Sequence, residues 1–235
     1  MKIGIITQPL QNNYGGILQN YALQDVLKKM GHEVITIDQK YPKIPLWRMF
    51  ASTLKTVLLK MTGKNREFFF FPKDQELKRI SQNTLCFVDN YINHTEKIDN
   101  ERQIRRIVKS LSLEAYIVGS DQVWRPCYNS SIYISFLNFT DSCPVKRIAY
   151  AASFGVDNWE FSDLETKRCK KLVKSFDAVS VREFSGIELC RRYLDVDACQ
   201  VLDPTMLLDE CDYIHLVEKE SEEKSAGSLL FYILD

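Results

Sequence analysis

Apolar and polar positions in this chain follow two rhythms, short β-branched runs and longer stretches at helical spacing. The first run, Lys2-Ile-Gly-Ile-Ile-Thr7, predicts a buried strand. The polar segment Gln11-Asn-Asn-Tyr-Gly-Gly16 follows it. From about Ile17 to Met30 the residues Leu18, Tyr21, Ala22, Leu23, Val26, Leu27 and Met30 recur at helical spacing, and Gly31 supplies a stop. Val34-Ile-Thr-Ile-Asp38 reads as a second strand. A strand–helix–strand unit of this length crosses over right-handed, so its strands run parallel.

Residues 41–100 break the rhythm and read as a helical insertion, with an amphipathic helix over 47–61 and one or two helices over 64–100 interrupted at Pro72. The alternation then resumes. A helix over 101–111, with Asp99 or Asn100 as N-cap, leads to a strand over 114–118 that runs into Gly119-Ser-Asp-Gln-Val-Trp124. A strand over 147–153 ends in Phe154-Gly155, and a helix over 163–176 precedes a strand over 178–181 that ends at Arg182-Glu183. A helix over 185–194 and a strand over 198–202, ending at Asp203-Pro204, complete the series.

This order predicts an α/β fold over residues 1–217, a Rossmann-like, doubly wound, mostly parallel sheet with helices on both faces. Residues 218–226 read as a charged linker. The apolar run 227–235 reads as the first strand of a second domain, or else as the edge strand of a single one. In doubly wound sheets the ligand lies beyond the carboxyl ends of the strands. The polar sets after Thr7, Val118, Ala152, Val181 and Leu202 are therefore expected to converge on one rim.

Charge and cysteine content narrow the class. Lys+Arg and Asp+Glu both number 31, which argues against a nucleic-acid partner held by bulk charge. The seven cysteines are odd in number and widely spaced, without a CxxC, so neither a disulfide framework nor a zinc site is expected. Free thiols fit a reducing, cytoplasmic setting. The run Phe68–Phe71 reads as a docking patch, pairing protomers into a homo-oligomer or receiving a further domain, or as a buried turn of helix, with contact to the inner membrane face as a further alternative.

Several residues at the strand ends have useful chemistry. Asn13, Gly15 and Gly16 bring backbone N–H groups to the positive end of a helix, where an anion or a hydroxyl-rich molecule binds; the plain alternative is a tight turn. Arg182 stands just past a strand end, suited to bidentate contact with a carboxylate or phosphate, or to an ion pair with Glu183. Asp121 would accept a proton from a hydroxyl or orient it, or else simply shape a turn. Gln122 offers a hydrogen bond, and Trp124 either a stacking face for a sugar or a core side chain. Ser153 and Gly155 are expected at the cleft floor, and Asp203-Pro204 reads as a turn at the domain end. His32, His94 and His215 are isolated and form neither a triad nor a metal spacing.

Taken in order, Asn-Asn-Tyr-Gly-Gly-Ile-Leu-Gln-Asn-Tyr-Ala-Leu-Gln24, Val118-Gly-Ser-Asp-Gln-Val-Trp124, Ser153-Phe-Gly155, Ser180-Val-Arg-Glu-Phe-Ser185 and Val201-Leu-Asp-Pro-Thr205 resemble the polysaccharide pyruvyl transferase family. The resemblance runs from residue 1 to about 209. It implies the N-terminal half of a two-domain architecture similar to GT-B glycosyltransferases, with the active site between two Rossmann-like halves. It implies pyruvyl transfer from phosphoenolpyruvate to a sugar hydroxyl of a glycan or lipid-linked acceptor, as a ketal. Phosphoenolpyruvate is then the donor substrate, and no cofactor or metal is called for. Arg182 would bind the donor and Asp121 would serve the acceptor hydroxyl, with Asn13, Gly15, Gly16, Gln19, Gly119, Ser120, Gln122, Trp124, Ser153, Gly155 and Glu183 around them. Many members carry Asn-x-Gly-Asp in the first loop, and here Gly16 replaces the acid. The family's basic, histidine-containing C-terminal donor motif has no counterpart in these residues, and a lone first half would turn over little. Two readings compete, half of a nucleotide-sugar transferase of the same architecture and a non-catalytic binding domain.

Overall fold

A computed structural model describes residues 1–40, 79–129, 131–141 and 143–218. Six strands, β1 (Lys2–Ile6), β2 (Glu33–Thr36), β3 (Ala115–Val118), β4 (Lys146–Ala152), β5 (Ala178–Val181) and β6 (Cys199–Gln200), form one sheet in the order β2-β1-β3-β4-β5-β6. Every pairing is parallel. The chain therefore moves outward from β1 in one direction through β2 and in the other from β3 to β6. This is the α/β Rossmann-like arrangement, whose crevice opens at the carboxyl ends of the strands.

Period-two alternation along each strand divides the core between two faces. Ile3, Ile5, Ala115 and Ile117 pack against Leu23 and Leu27 of helix α1 (Tyr14–Lys29). Ile6, Val118, Ala152 and Val181 face the other way. They meet α3 (Glu101–Leu111), two 3-10 turns, Ile132–Phe136 and Asn138–Thr140, α4 (Asp163–Val173) and α5 (Phe184–Leu189). Each fully buried Ile or Leu in these layers contributes about 1.5–3 kcal/mol relative to exposure. Helix α2 (Gln82–Tyr91) belongs to the expected insertion. After it the chain bridges beside β2 at Thr36–His94 and Gln39–Ile98. The last described helix, α6 (Glu210–Glu218), lies against α1, where Lys29 Nζ reaches Asp212 Oδ1 at 2.7 Å. Among the described residues no helix is long and apolar enough to cross a membrane.

Several expected boundaries shift, each for a local reason. Helix α1 begins at Tyr14 rather than Ile17, because the Asn13 side chain caps it by accepting from Gly16 N at 3.1 Å. The glycine pair thus lies inside the first helical turn. Asn100, not Asp99, caps α3 through Gln103 N. Helix α5 is short and continues as a π-helical turn, Cys190–Leu194, closed by Asp195 at φ 57°. The helices expected over 47–78, the Phe68–Phe71 patch, the linker beyond 218 and the strand at 227–235 lie outside the described residues.

Candidate functional site

Four short loops and one capped turn meet at the carboxyl edge of the sheet, and each is held there by a specific contact. After β1, the Asn13 side chain turns from its cap to donate Nδ2 to Asp121 Oδ2 at 2.6 Å. Asp121 stands after β3 at φ 37°, and its Oδ1 accepts from Gln122 N at 2.8 Å. Its backbone N donates to Gln19 Oε1 of α1 at 3.1 Å. A Cβ on Gly16 would lie 2.8 Å from Asp121 Oδ2, so only glycine admits this carboxylate to the first turn of α1. The helix N-terminus expected to receive an external anion is faced instead by the chain's own Asp121. Gly119 makes the turn possible. A Cβ there would meet Tyr150 O at 2.0 Å, and its φ of +135° disfavours any L side chain.

Strand β4 reaches the rim through a bulge. Ala151 has φ 48°, and the register with β5 shifts between Ala149 and Ala152. The Ser180 hydroxyl repairs the broken ladder, donating to Ala149 O at 2.9 Å and accepting from Ala151 N at 3.2 Å. The bulge delivers Ser153, fully buried, to the centre of the rim. Its Oγ donates to Glu183 Oε1 at 2.6 Å and accepts from Gly155 N at 3.0 Å. Its backbone N donates to Asp121 O at 3.1 Å.

After β5, Arg182 is tied on three sides. Nε donates to Glu183 Oε1 at 2.9 Å, one terminal nitrogen to Ser153 Oγ at 3.1 Å, and the other faces Asp203 Oδ2 at 3.4 Å. Asp203 ends the β6 segment. Its Oδ1 caps the following turn through Thr205 N and Thr205 Oγ1, and its Oδ2 accepts from Gln19 Nε2 at 2.5 Å. The result is one polar chain, Asn13–Asp121–Gln19–Asp203–Arg182–Ser153–Glu183, crossing the rim from β1 to β6. Glu183 Oε2 is buried with no hydrogen-bond partner. Burial first, and the nearby Asp203 carboxylate second, push the Tyr150 hydroxyl pKa up.

The expected site residues therefore divide. Asn13, Gly16, Gln19, Asp121, Ser153, Arg182 and Glu183 come together in the network. Gln122 lies beside it, with Oε1 accepting from Arg125 at 3.1 Å, and Gly155 packs closely against Gln122. Gly15 is exposed, and an added Cβ there would make only ordinary contact with Asn13 Oδ1 at 3.6 Å. Gly119 serves the backbone turn, and Ser120 is buried with its hydroxyl unpartnered. Of its two expected roles Trp124 takes that of a core side chain, not that of a substrate contact: it is 0% exposed and stacks on Phe136 at 4.9 Å, with Nε1 donating to Ser135 O at 3.0 Å. A side chain sealed by its own partners presents no face to a sugar. The ion pair foreseen for Arg182 with Glu183 is present and coexists with its place at the rim. Asp203 stands on the rim, as expected of the polar set after Leu202, and it also makes the expected turn; its bonds to Gln19 and Arg182 are what the sequence did not show.

The family model described as polysaccharide pyruvyl transferase matches residues 13–221. A search of curated protein sequences found no match. Among solved structures, a glycosyltransferase from Rickettsia africae ESF-5 is similar at 13% identity and TM-score 0.49, covering 92% of this chain and 48% of that one. An alpha-glucosyltransferase in complex with UDP-glucose and DNA containing an abasic site follows at 12% identity and TM-score 0.42, covering 86% of this chain and 42% of that one. The chain spans less than half the length of these structures.

Proposed function

The chain belongs to the polysaccharide pyruvyl transferase family, and on that premise we propose that it moves a pyruvyl group from phosphoenolpyruvate to a pair of sugar hydroxyls on a cell-surface glycan precursor, forming a ketal. One observation carries the reading. Arg182, part-exposed, stands at the rim between two carboxylates, at 3.4 Å from Asp203. That separation is long for a charge-assisted hydrogen bond, so a ligand oxygen can take its place.

In this reading Arg182 leaves Asp203 to hold the donor's carboxylate or phosphate, and Ser153 Oγ and Gly155 N keep the guanidinium's surroundings fixed. Each Asp121 oxygen accepts one hydrogen bond, and a carboxylate has about four acceptor sites. Asp121 therefore retains capacity for an acceptor hydroxyl, as does Glu183 through Oε2. The chemistry balances as follows. A proton adds to C3 of phosphoenolpyruvate while a sugar oxygen bonds to C2 and loses its own proton. The C2–O bond to phosphate then breaks, releasing inorganic phosphate. The second hydroxyl bonds to C2 and its proton leaves with the phosphate. We place the reaction in the cytoplasm, and we assign the opposite wall of the cleft to a second α/β domain.

The test is inorganic phosphate release from phosphoenolpyruvate by the complete protein with a panel of glycan acceptors, alongside UDP- and GDP-sugars. Acceptor-dependent phosphate release that Arg182→Ala abolishes supports the reading. Sugar transfer from a nucleotide donor with no effect of phosphoenolpyruvate overturns it.

A further inference from the structure

The formal charge of the chain is zero, yet charge is divided unevenly between the two faces of the sheet. On one face α3 carries Arg102, Arg105, Arg106 and Lys109 against Glu101 alone. In the same layer α4 carries Lys167, Arg168, Lys170 and Lys171 against Asp163 and Glu165, with Lys174 at its C-cap. On the other face α6 has Glu210, Asp212 and Glu218 and no Lys or Arg.

The two basic helices form one surface. Arg105 of α3 donates to Asn138 O of the 3-10 turn Asn138–Thr140 at 3.1 Å, and Arg168 of α4 lies 3.8 Å over the Tyr133 ring of the preceding 3-10 turn, Ile132–Phe136. The Glu101 carboxyl is held below its usual range first by its hydrogen bond from Arg105, with a smaller contribution from Arg168, so α3 and α4 are within electrostatic reach. Helical periodicity sets the outward stripes. Ile104 and Val108 of α3 face the core, placing Arg102, Arg106 and Lys109 on the opposite side. Cys169, Leu172 and Val173 of α4 face the core, placing Leu164, Lys167 and Lys171 outward.

These outward cations differ from their neighbours. Arg105 is paired with Glu101, and Lys170 and Lys174 share Asp195. Arg102, Arg106, Lys109, Lys167 and Lys171 form no ion pair or hydrogen bond among the described residues. Arg102 with Arg106 and Lys167 with Lys171 are like-charge pairs four residues apart, an arrangement that destabilises a helix until an anion neutralises it. Leu164, 73% exposed, stands in the same stripe as the lysines. An apolar side chain among cations suits the headgroup layer of a bilayer, where both are satisfied, better than a nucleic-acid backbone.

We propose that the outer surface of α3 and α4 docks on an anionic bilayer, with Arg102, Arg106, Lys109, Lys167 and Lys171 against lipid phosphates and Leu164 entering the headgroup layer. This inference does not depend on which donor the rim takes.

Co-sedimentation of the full chain with phosphatidylcholine vesicles, with and without phosphatidylglycerol, tests it. Circular dichroism confirms the fold of each variant. Binding is expected only with phosphatidylglycerol, weakening as salt rises. The double variant Lys167→Glu, Lys171→Glu is expected to lower the partition coefficient roughly ten-fold or more, and Leu164→Asn to lower it several-fold with charge unchanged. Equal binding to both vesicle types, or no effect of the folded variants, overturns the proposal. So does absence of vesicle binding, including the case where duplex DNA is bound through the same lysines.

Discussion

Asn13 and Asp121, 108 residues apart in the chain, are joined by a 2.6 Å hydrogen bond from Nδ2 to Oδ2. The contact ties the cap of α1 to the loop after β3, and it is possible only because residue 16 has no side chain. Gly16→Ala is expected to push the Asp121 carboxylate away and destabilise the protein by about 1–3 kcal/mol. Gly15→Ala meets nothing closer than 3.6 Å and is expected to be neutral or stabilising by up to about 1 kcal/mol. Urea denaturation of the two variants measures the contrast. Equal effects would mean that the close approach at Gly16 carries no weight.

Trp124 is a core residue, and its replacement should affect stability before binding. Trp124→Ala removes the stack on Phe136 and the bond to Ser135 O, and is expected to cost about 3–5 kcal/mol. A variant that lost glycan binding while unfolding at the wild-type denaturant concentration would contradict this placement.

Asp38 gives the stability a pH dependence opposite to that of the surface carboxylates. It is 1% exposed, burial pushes its pKa up, and the Leu10 N–H bond first, then the nearby Lys97 and His94 and the Gln39 N–H, oppose that. Below the unfolded value of about 3.9 the carboxyl is neutral in both states. As pH rises through the higher folded value, the folded state must hold a buried charge, and stability is lost. Asp177, held low first by its bond from Lys146, works the other way and loses its contribution as pH falls. Asp38→Asn is therefore expected to gain stability relative to wild type as pH rises from about 4 toward neutrality. Thermal unfolding across that range reads the difference. A constant difference would remove Asp38 from the account.

The thiols should separate cleanly by burial. Cys169 and Cys190 are buried, and loss of solvent pushes both pKa values to about 12. Cys86, Cys127, Cys199 and Cys211 are exposed. Iodoacetamide at mildly alkaline pH, read by peptide mass spectrometry, is expected to label the four exposed thiols in the native protein and the two buried ones only after denaturation. Native labelling of Cys169 or Cys190 would contradict the packing of α4 and of the π-helical turn after α5.

Much of this arrangement is legible in the sequence, because the signals that carry it are local. β-Branched runs such as Val34-Ile-Thr-Ile-Asp38 and the spacing of Ile104 and Val108 specify strands and helices directly. The alternation of those elements then implies parallel strands and a rim at their carboxyl ends. What the sequence withholds depends on contacts between distant residues. The bulge at Ala151 needs the Ser180 hydroxyl across the ladder. The burial of Trp124 depends on Phe136 and Ser135, in a 3-10 run with neither period. Asp203 shows a cap in its local sequence, whereas its bonds to Gln19 and Arg182 cross 184 and 21 residues. Helix α6 buries only Leu216, and its placement also draws on the Tyr213 bond to Thr205 O and on the Lys29–Asp212 pair.

The account turns on Arg182 exchanging an internal carboxylate for an anionic donor. The direct measurement is the Arg182 Nε–Hε resonance, assigned with an Arg182→Lys control, during a titration of the complete protein with phosphoenolpyruvate. In the free protein this proton is held by Glu183 Oε1 at 2.9 Å. A saturable shift with phosphoenolpyruvate, absent with UDP- and GDP-sugars, is the predicted result. A resonance that stays in place while phosphoenolpyruvate binds elsewhere, or does not bind at all, would contradict the account.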